Sequence, residues 1–257
     1  MTLDSPTNSY QNNAVLTVEG VMKSYQNIPT IEDIHLQVKE GEIVSLLGLS
    51  GVGKTTLFNV ISGVGIPDKG KVFFQGMDVT GKPGHISYML QKDLLIEQKN
   101  IMDNVILPLI LKGEKKSLAQ EKAKKLLPMF GLEGYEKSYP NALSGGMRQR
   151  AAFLRTYFAS EEVVLLDEPF SALDAITKKQ MHKWYQEMSE TLGLTTLFIT
   201  HDIDEALLLS DRIYLMTGSP GRISFELPLK KRDGEDFSLT PEFLEYKKQI
   251  LRELGLE

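Results

Sequence analysis

The spacing of apolar and polar residues changes its period along the chain, and each change marks a new kind of element. From about Val15 to Gly84 short runs alternate, as in Leu16-Thr17-Val18-Glu19, Ile34-His35-Leu36-Gln37-Val38 and Lys71-Val72-Phe73-Phe74. A period of two puts one face of a strand in the core and the other in water. One run here differs: Glu42-Ile43-Val44-Ser45-Leu46-Leu47 is apolar and β-branched, leads into a glycine-rich stretch, and is followed by a helix expected to open at Lys54. From about Asp93 to Phe158 the period is helical, with helices predicted over Ile101 to Leu111, over Leu118 to Phe130, and after Leu143-Ser144, where Ala152 and Leu154 face inward. Strands then return at Val163 to Leu166 and Thr195 to Thr200. Between them a helix carries Met181, Trp184, Tyr185, Met188 and Leu192, read as core, and a terminal helix is opened by Thr240-Pro241 as cap and first-turn proline. This order predicts an α/β fold: antiparallel strands, a parallel core and a helical insert.

The glycine-rich stretch carries the first chemistry. Gly48-Leu49-Ser50-Gly51-Val52-Gly53-Lys54-Thr55 fills every fixed position of the G-x-x-x-x-G-K-[ST] pattern, between a strand and a helix. That context aims backbone N–H groups and a helix N-terminus at the β-phosphate of a nucleotide. Glycine is expected at Gly48, Gly51 and Gly53 because a Cβ obstructs the turn or holds the backbone off the phosphates. Lys54 reaches the β- and γ-phosphates and the Thr55 hydroxyl ligates Mg²⁺. Ser50 and Thr56 complete the expected contacts, so the loop implies a nucleoside triphosphate.

A second segment, Leu143-Ser144-Gly145-Gly146-Met147-Arg148-Gln149-Arg150, is followed by Val163-Val164-Leu165-Leu166-Asp167-Glu168-Pro169-Phe170. Here the chain resembles the ATP-binding-cassette ATPases. The first run is similar to that family's signature, the second to its Walker B strand, Ser171-Ala172-Leu173-Asp174 to its D-loop, and His201 after Leu197-Phe198-Ile199-Thr200 to its switch histidine. Gln91, closing Ile86-Ser87-Tyr88-Met89-Leu90, is similar to its Q-loop, and Tyr25 stands where the family places an adenine-stacking aromatic. The resemblance implies a RecA-like parallel-sheet core with the phosphate loop, an antiparallel β subdomain and an inserted α-helical subdomain over about 93–158. Residues 13–257 form one such domain, and 1–12 are expected to be a disordered tail.

The residues support the same roles. A continuous apolar run such as Val163 to Leu166 suits a strand buried on both faces, whose carboxyl end is where ligands bind in open α/β sheets. Adjacent strand residues point to opposite faces, which assigns Asp167 to the Mg²⁺ shell and Glu168 to water as general base. Ser144 before Gly145 and Gly146 reads as a helix N-cap with open backbone donors. In the resembling family that signature faces the γ-phosphate held by a second subunit, implying a head-to-tail homodimer with shared ATP sites. Gln91 and His201 join Glu168 as expected catalytic residues, with Gln91 also on the metal; Tyr25, Ser144, Gly145, Gly146 and Asp174 join the expected nucleotide contacts.

Composition narrows the setting. No cysteine is present, which excludes disulfides and thiolate chemistry. The start, Met1 to Ser9, has neither the basic region nor the apolar core of a signal peptide. The run Val105 to Leu111 falls far short of the roughly 20 residues needed to span a bilayer. A cytoplasmic protein is expected, peripheral on the inner face of the cell membrane. The net charge of −5 argues against nucleic acid as a partner, and the lysines between Lys112 and Lys125, interleaved with Glu and Ala, read as a solvated helix face.

Two function classes follow from the resemblance: the ATP-hydrolysing subunit of a membrane importer, or a soluble cassette ATPase acting on ribosomes or DNA. The single cassette, the compact insert and Pro169-Phe170 favour the importer. Tyr88 to Leu95 and Gly218-Ser219-Pro220-Gly221-Arg222-Ile223 resemble the nitrate, sulfonate and taurine uptake group, which includes pyrimidine-precursor importers; Ile96-Glu97-Gln98-Lys99 departs from its usual Leu-Pro-Trp. The implied partners are transmembrane permease subunits and, through them, a periplasmic or lipoprotein solute-binding protein. With a short stretch after His201, no regulatory domain of the kind on sugar-importer cassettes is expected.

Overall fold

In the computed structural model, residues 14–160, 162–230 and 237–256 are described; the tail expected over 1–12 lies outside them. Strands β1 (Ala14–Tyr25) and β2 (Ile28–Lys39) form an antiparallel hairpin. Gln26 and Asn27 turn it with φ of 52° and 63°, the left-handed pair whose twist matches a two-residue hairpin. With β4 (Lys69–Phe74) and β5 (Met77–Asp78) they make a sheet of order β2-β1-β4-β5.

The second sheet runs β10-β9-β3-β8-β7-β6. Its members are β3 (Ile43–Gly48), β6 (Ser87–Met89), β7 (Val163–Asp167), β8 (Thr195–Thr200), β9 (Arg212–Thr217) and β10 (Arg222–Pro228). All neighbours are parallel except the β9–β10 edge. β7 shows why its sequence does not alternate: Val163 and Leu165 pack towards the antiparallel sheet, Val164 and Leu166 towards the helices, and none touches water.

Helix α1 (Lys54–Ile61) follows β3, and its Leu57, Phe58, Val60 and Ile61 fill the space between the sheets. Each such side chain contributes roughly 1.5–3 kcal/mol by leaving water. The helices α2 (Ile101–Val105), α3 (Leu107–Leu111), α4 (Lys116–Leu126) and α5 (Gly145–Ala159) share a core with α6 (Ala175–Leu192) around Phe130, Phe153 and Trp184. A third cluster joins α7 (Ile203–Leu209) and α8 (Pro241–Glu253) to β9. Thr240 caps α8 through Phe243 N, with proline in the first turn, as the sequence predicts.

The insert departs from its predicted helices in one respect. The single helix expected over Ile101 to Leu111 is two, meeting at Ile106, and the helix expected to reach Phe130 ends at Leu126. Proline is the cause in both. Pro108 and Pro128 offer no N–H, so each leaves one bond of the helical ladder unmade.

Candidate nucleotide site

The strand registers bring the carboxyl ends of β3, β7 and β8 to one edge of the sheet, with Leu47 opposite Thr200 and Asp167 opposite Ile199. The phosphate loop leaves β3 there, moulded by what lies behind it. A Cβ on Gly48 lies 2.5 Å from the Met216 carbonyl oxygen of β9, and one on Gly53 lies 2.5 Å from Ile31 Cγ2 of β2. Gly53 also has φ 108°, a region that side chains disfavour. At Gly51 a Cβ meets open space, and only its φ of 81° requires glycine. α1 then opens without a side-chain cap, so its first amides keep their donors.

Lys54 folds back across this loop. Its Nζ donates to the Gly48 and Leu49 carbonyls at 2.7 and 2.9 Å. Burial lowers the pKa of the ammonium, and the nearby Glu168 and Asp167 oppose that fall. Ser50 is exposed on the loop and Thr56 half-buried on α1.

Two carboxylates face the loop by different routes. Asp167 is buried at the end of β7, and its Oδ2 accepts from Thr55 Oγ1 at 3.3 Å and from Tyr88 OH at 3.1 Å. Burial raises its pKa against the opposing bonds from Tyr88 and Thr55; the Tyr88 phenol is raised too, by burial first and then by Asp167. Glu168 lies beyond the strand with φ 46°. Its carboxylate accepts from Gln91 Nε2 at 3.2 Å and pairs with His201 Nδ1 at 3.1 Å. Ser171 Oγ donates to the Glu168 carbonyl at 2.9 Å and sits 3.4 Å from Gln91 Nε2. The carboxylates do separate, but through the left-handed turn at Glu168 rather than the alternation of a strand.

The structure therefore gathers Thr55 with Asp167, and Gln91 and His201 with Glu168, in two hydrogen-bonded groups, with Lys54 bound to the loop carbonyls near both carboxylates. Other residues singled out in the sequence are held elsewhere. The Ser144 hydroxyl caps α5 by accepting from Met147 N at 3.3 Å. Gly145 and Gly146 lie against Leu173 and Thr177 of the segment that follows Glu168. Asp174 caps α6 by accepting from Ile176 N and Thr177 N, bonds that lower its pKa, those of Thr177 most. Tyr25 ends β1 half-exposed, with Lys23 Nζ 5.6 Å from its ring centre. Tyr88 and Ser171 were not singled out; both stand inside quoted segments, and the signal for Tyr88 was a hydroxyl-bearing ring on the strand beside β7.

The donor set suits Mg²⁺. A hydroxyl and a carboxylate already within hydrogen-bond distance are hard oxygen ligands, and this ion is bound by one or two carboxylates together with substrate phosphates. Among the described residues no cluster of three or more acidic, histidine or cysteine side chains forms a self-contained metal cage.

A strand, glycine loop and uncapped helix set beside two carboxylates define a phosphate-loop nucleotide hydrolase. Comparison with known proteins sharpens the class. The ABC transporter family model matches residues 31–171. The formylaminopyrimidine import ATP-binding protein ThiZ of Halalkalibacterium halodurans is 47% identical over 80% of this chain and 81% of its own length. A sulfate/thiosulfate import ATP-binding protein CysA of Bacillus cereus is 39% identical over 81% of this chain and 60% of its own. Among solved structures, a dimeric ATP-binding cassette in a post-hydrolysis state with ADP and Pi superposes with a TM-score of 0.71 at 30% identity, covering 84% of this chain and all of that one. The cbiO1 structure from Clostridium perfringens superposes with a TM-score of 0.78 at 23% identity over 96% of both chains, a likeness of fold. The chain belongs to the ABC transporter family as an ATP-binding cassette, and it is an ATPase.

Proposed function

We propose that this chain powers solute import, hydrolysing ATP as a head-to-tail homodimer on two transmembrane permease subunits at the inner face of the cell membrane. The observation that carries the reading is the convergence of the phosphate loop, the Asp167–Thr55 pair and the Gln91–Glu168–His201 group on one edge of the sheet. Residues 13–257 act as one ATPase domain, with about 93–158 as its helical subdomain. Relatives named for import of formylaminopyrimidine and of sulfate or thiosulfate support the direction of transport. The solute is accordingly a small anionic or heterocyclic molecule of the nitrate, sulfonate or taurine type, delivered by a solute-binding protein. Among the described residues no helix is long and apolar enough to cross a membrane, so the permease supplies the path. A cavity of about 560 Å³ beside Gln91, lined by Asp93, Leu94, Glu97 and Arg148, is the seat for it.

The roles follow from the geometry. Lys54 exchanges its two loop carbonyls for β- and γ-phosphate oxygens, and the amides of Ser50 to Thr56 surround the phosphates. Mg²⁺, held by Thr55 and Asp167 with Gln91 beside them, supplies charge neutralisation at the phosphates. Glu168 takes the proton of the attacking water, His201 contacts the γ-phosphate, and Tyr25 stacks on the base. Ser144, Gly145, Gly146 and Asp174 complete the partner's site, since they make no part of the two groups around Lys54.

Single cysteines at Ser50 of one chain and Ala142 of another test the arrangement, with no native thiol to compete. An ATP-stimulated crosslink between the two chains is expected, strongest with Glu168→Gln. Its absence at every nucleotide concentration removes the head-to-tail dimer. Isolation from membranes is expected to bring down a permease; recovery of ribosomes instead favours the soluble class.

A further inference from the structure

The turn that carries His201 is fastened on both sides by charges that the nucleotide chemistry does not use. Thr200, the residue before His201, is fully buried, and its hydroxyl donates to Glu205 Oε2 at 2.7 Å while accepting from Asp202 N at 3.0 Å. Asp202, the residue after, caps α7 with Oδ1 and binds Lys178 Nζ with Oδ2 at 2.7 Å. Lys178 also lies 3.6 Å from Glu205 Oε2. Burial acts to lower the Lys178 pKa, yet its bond to Asp202 and the charges of Glu205 and Asp202 leave it raised.

One turn along α6, His182 is on the same face, because residues four apart on a helix are neighbours. Its Nε2 is 3.5 Å from Glu205 Oε1, and both atoms are buried without a hydrogen-bond partner. The His182 ring also packs edge-to-face with Phe170, two residues beyond Glu168, with ring centres 4.9 Å apart. The result is a bracket between α6 and α7 that holds the residues on either side of His201, which itself stays exposed and pairs with Glu168. An isolated buried charge is costly, so Glu205 follows Lys178 and His182 wherever α6 carries them. The first turn of α6, which Asp174 caps, lies against the signature at Gly146 through Thr177.

We propose that Lys178, acting through Glu205 and Asp202 with His182 behind them, is a positioning residue that sets the orientation of His201 and ties it to the start of α6. The inference rests on the reading of His201 as a γ-phosphate contact. It requires no contact between Lys178 and nucleotide.

The test uses the full chain in five forms: parental, Lys178→Met, Lys178→Arg, His201→Ala and Lys178→Met with His201→Ala. Lys178→Met is expected to lower kcat about 10- to 100-fold, the loss that a small misplacement of a reacting group produces, while KM for ATP stays near parental; the melting temperature falls, because the buried Glu205 loses its cationic partner. Lys178→Arg is expected to restore most of the rate. In the His201→Ala background Lys178→Met is expected to cost nothing further, because residues that act through one another are not additive. The chain has four histidines, so the His201 ring signal, assigned by its loss in His201→Ala, is a second readout; it is expected to shift in Lys178→Met and return in Lys178→Arg. A folded Lys178→Met with parental kcat and an unmoved His201 signal overturns the proposal, as do independent, multiplying losses in the double variant. If Lys178→Met fails to fold, Glu205→Gln asks the same question, since its amide oxygen keeps the Thr200 bond while the charge is gone; an unmoved His201 signal there is equally fatal. Parental turnover in His201→Ala, with the ring signal still responding to Lys178, refutes the role given to His201 and leaves the bracket standing.

Discussion

The phosphate loop and the carboxylate edge meet at one site but are specified in different ways. The loop is defined by backbone: Gly48 and Gly53 fit because Met216, Ile31 and Thr30 leave no room for a Cβ. The carboxylate edge is defined by side chains, each held by one or two bonds, as Asp167 is by Thr55 and Tyr88 and Glu168 by Gln91 and His201. The difference teaches that the two halves fail differently. An added methyl in the loop changes its shape and disturbs its neighbours, whereas an exchange of oxygen for nitrogen at the edge leaves the fold intact and removes a reaction step.

The largest separation of these effects is expected from Glu168→Gln. The glutamine keeps the size and left-handed backbone of the original residue but accepts no proton from water. Turnover should fall about 10²- to 10⁴-fold, the usual contribution of a general base, with MgATP binding retained and the dimer held closed. Stopped-flow phosphate release and size exclusion with ATP measure both. A variant that hydrolyses ATP at the parental rate removes Glu168 from the role.

Gly53→Ala asks the opposite question. The new methyl meets Ile31 Cγ2 and the Thr30 carbonyl at a φ of 108°. A non-glycine residue at positive φ costs about 1–2 kcal/mol before any clash. A melting temperature lowered by several degrees is expected, together with weakened nucleotide binding in titration calorimetry. Unchanged stability shows that the loop is not moulded by β2, and the contrast with the carboxylate edge disappears.

This contrast also accounts for what was legible in the sequence. Local rules found the strand, loop and helix from Glu42 to Thr55, the Ser144 cap and the Thr240-Pro241 start, because each depends on residues within one turn of it. The same rules, applied to Pro108 and Pro128, were enough to end the helices of the insert, but helical periodicity alone ran through them. The strands β9 and β10 are not among the predicted elements, though β9 pairs with β3, which carries the phosphate loop. The bonds from Tyr88 to Asp167 and from Lys178 to Asp202 span 79 and 24 residues. No spacing in the chain announces such pairs; only the sheet order brings them together.

The smallest shift in melting temperature, and the sharpest test of how the edge is held, is expected from Asp167→Asn. Burial raises the pKa of Asp167 in the folded chain, despite the bonds from Tyr88 and Thr55 and the nearby Lys54. A raised carboxyl pKa means that the folded state holds this proton more tightly than the unfolded one, so the ionised form works against folding. That penalty is complete above the raised folded pKa, shrinks as pH falls through it towards the unfolded value of 3.8, and is gone below both. Asparagine carries no charge, and its carbonyl still accepts from Thr55 and Tyr88. At pH 7 the variant should therefore melt higher than the parent, while Mg²⁺-dependent hydrolysis is lost. The gain should narrow as the pH is lowered. Calorimetric melts of both proteins across this range decide the matter: a variant that is less stable at pH 7, or whose gain does not decline in acid, shows that the ionised Asp167 supports the fold and that stability and catalysis are not opposed at this edge.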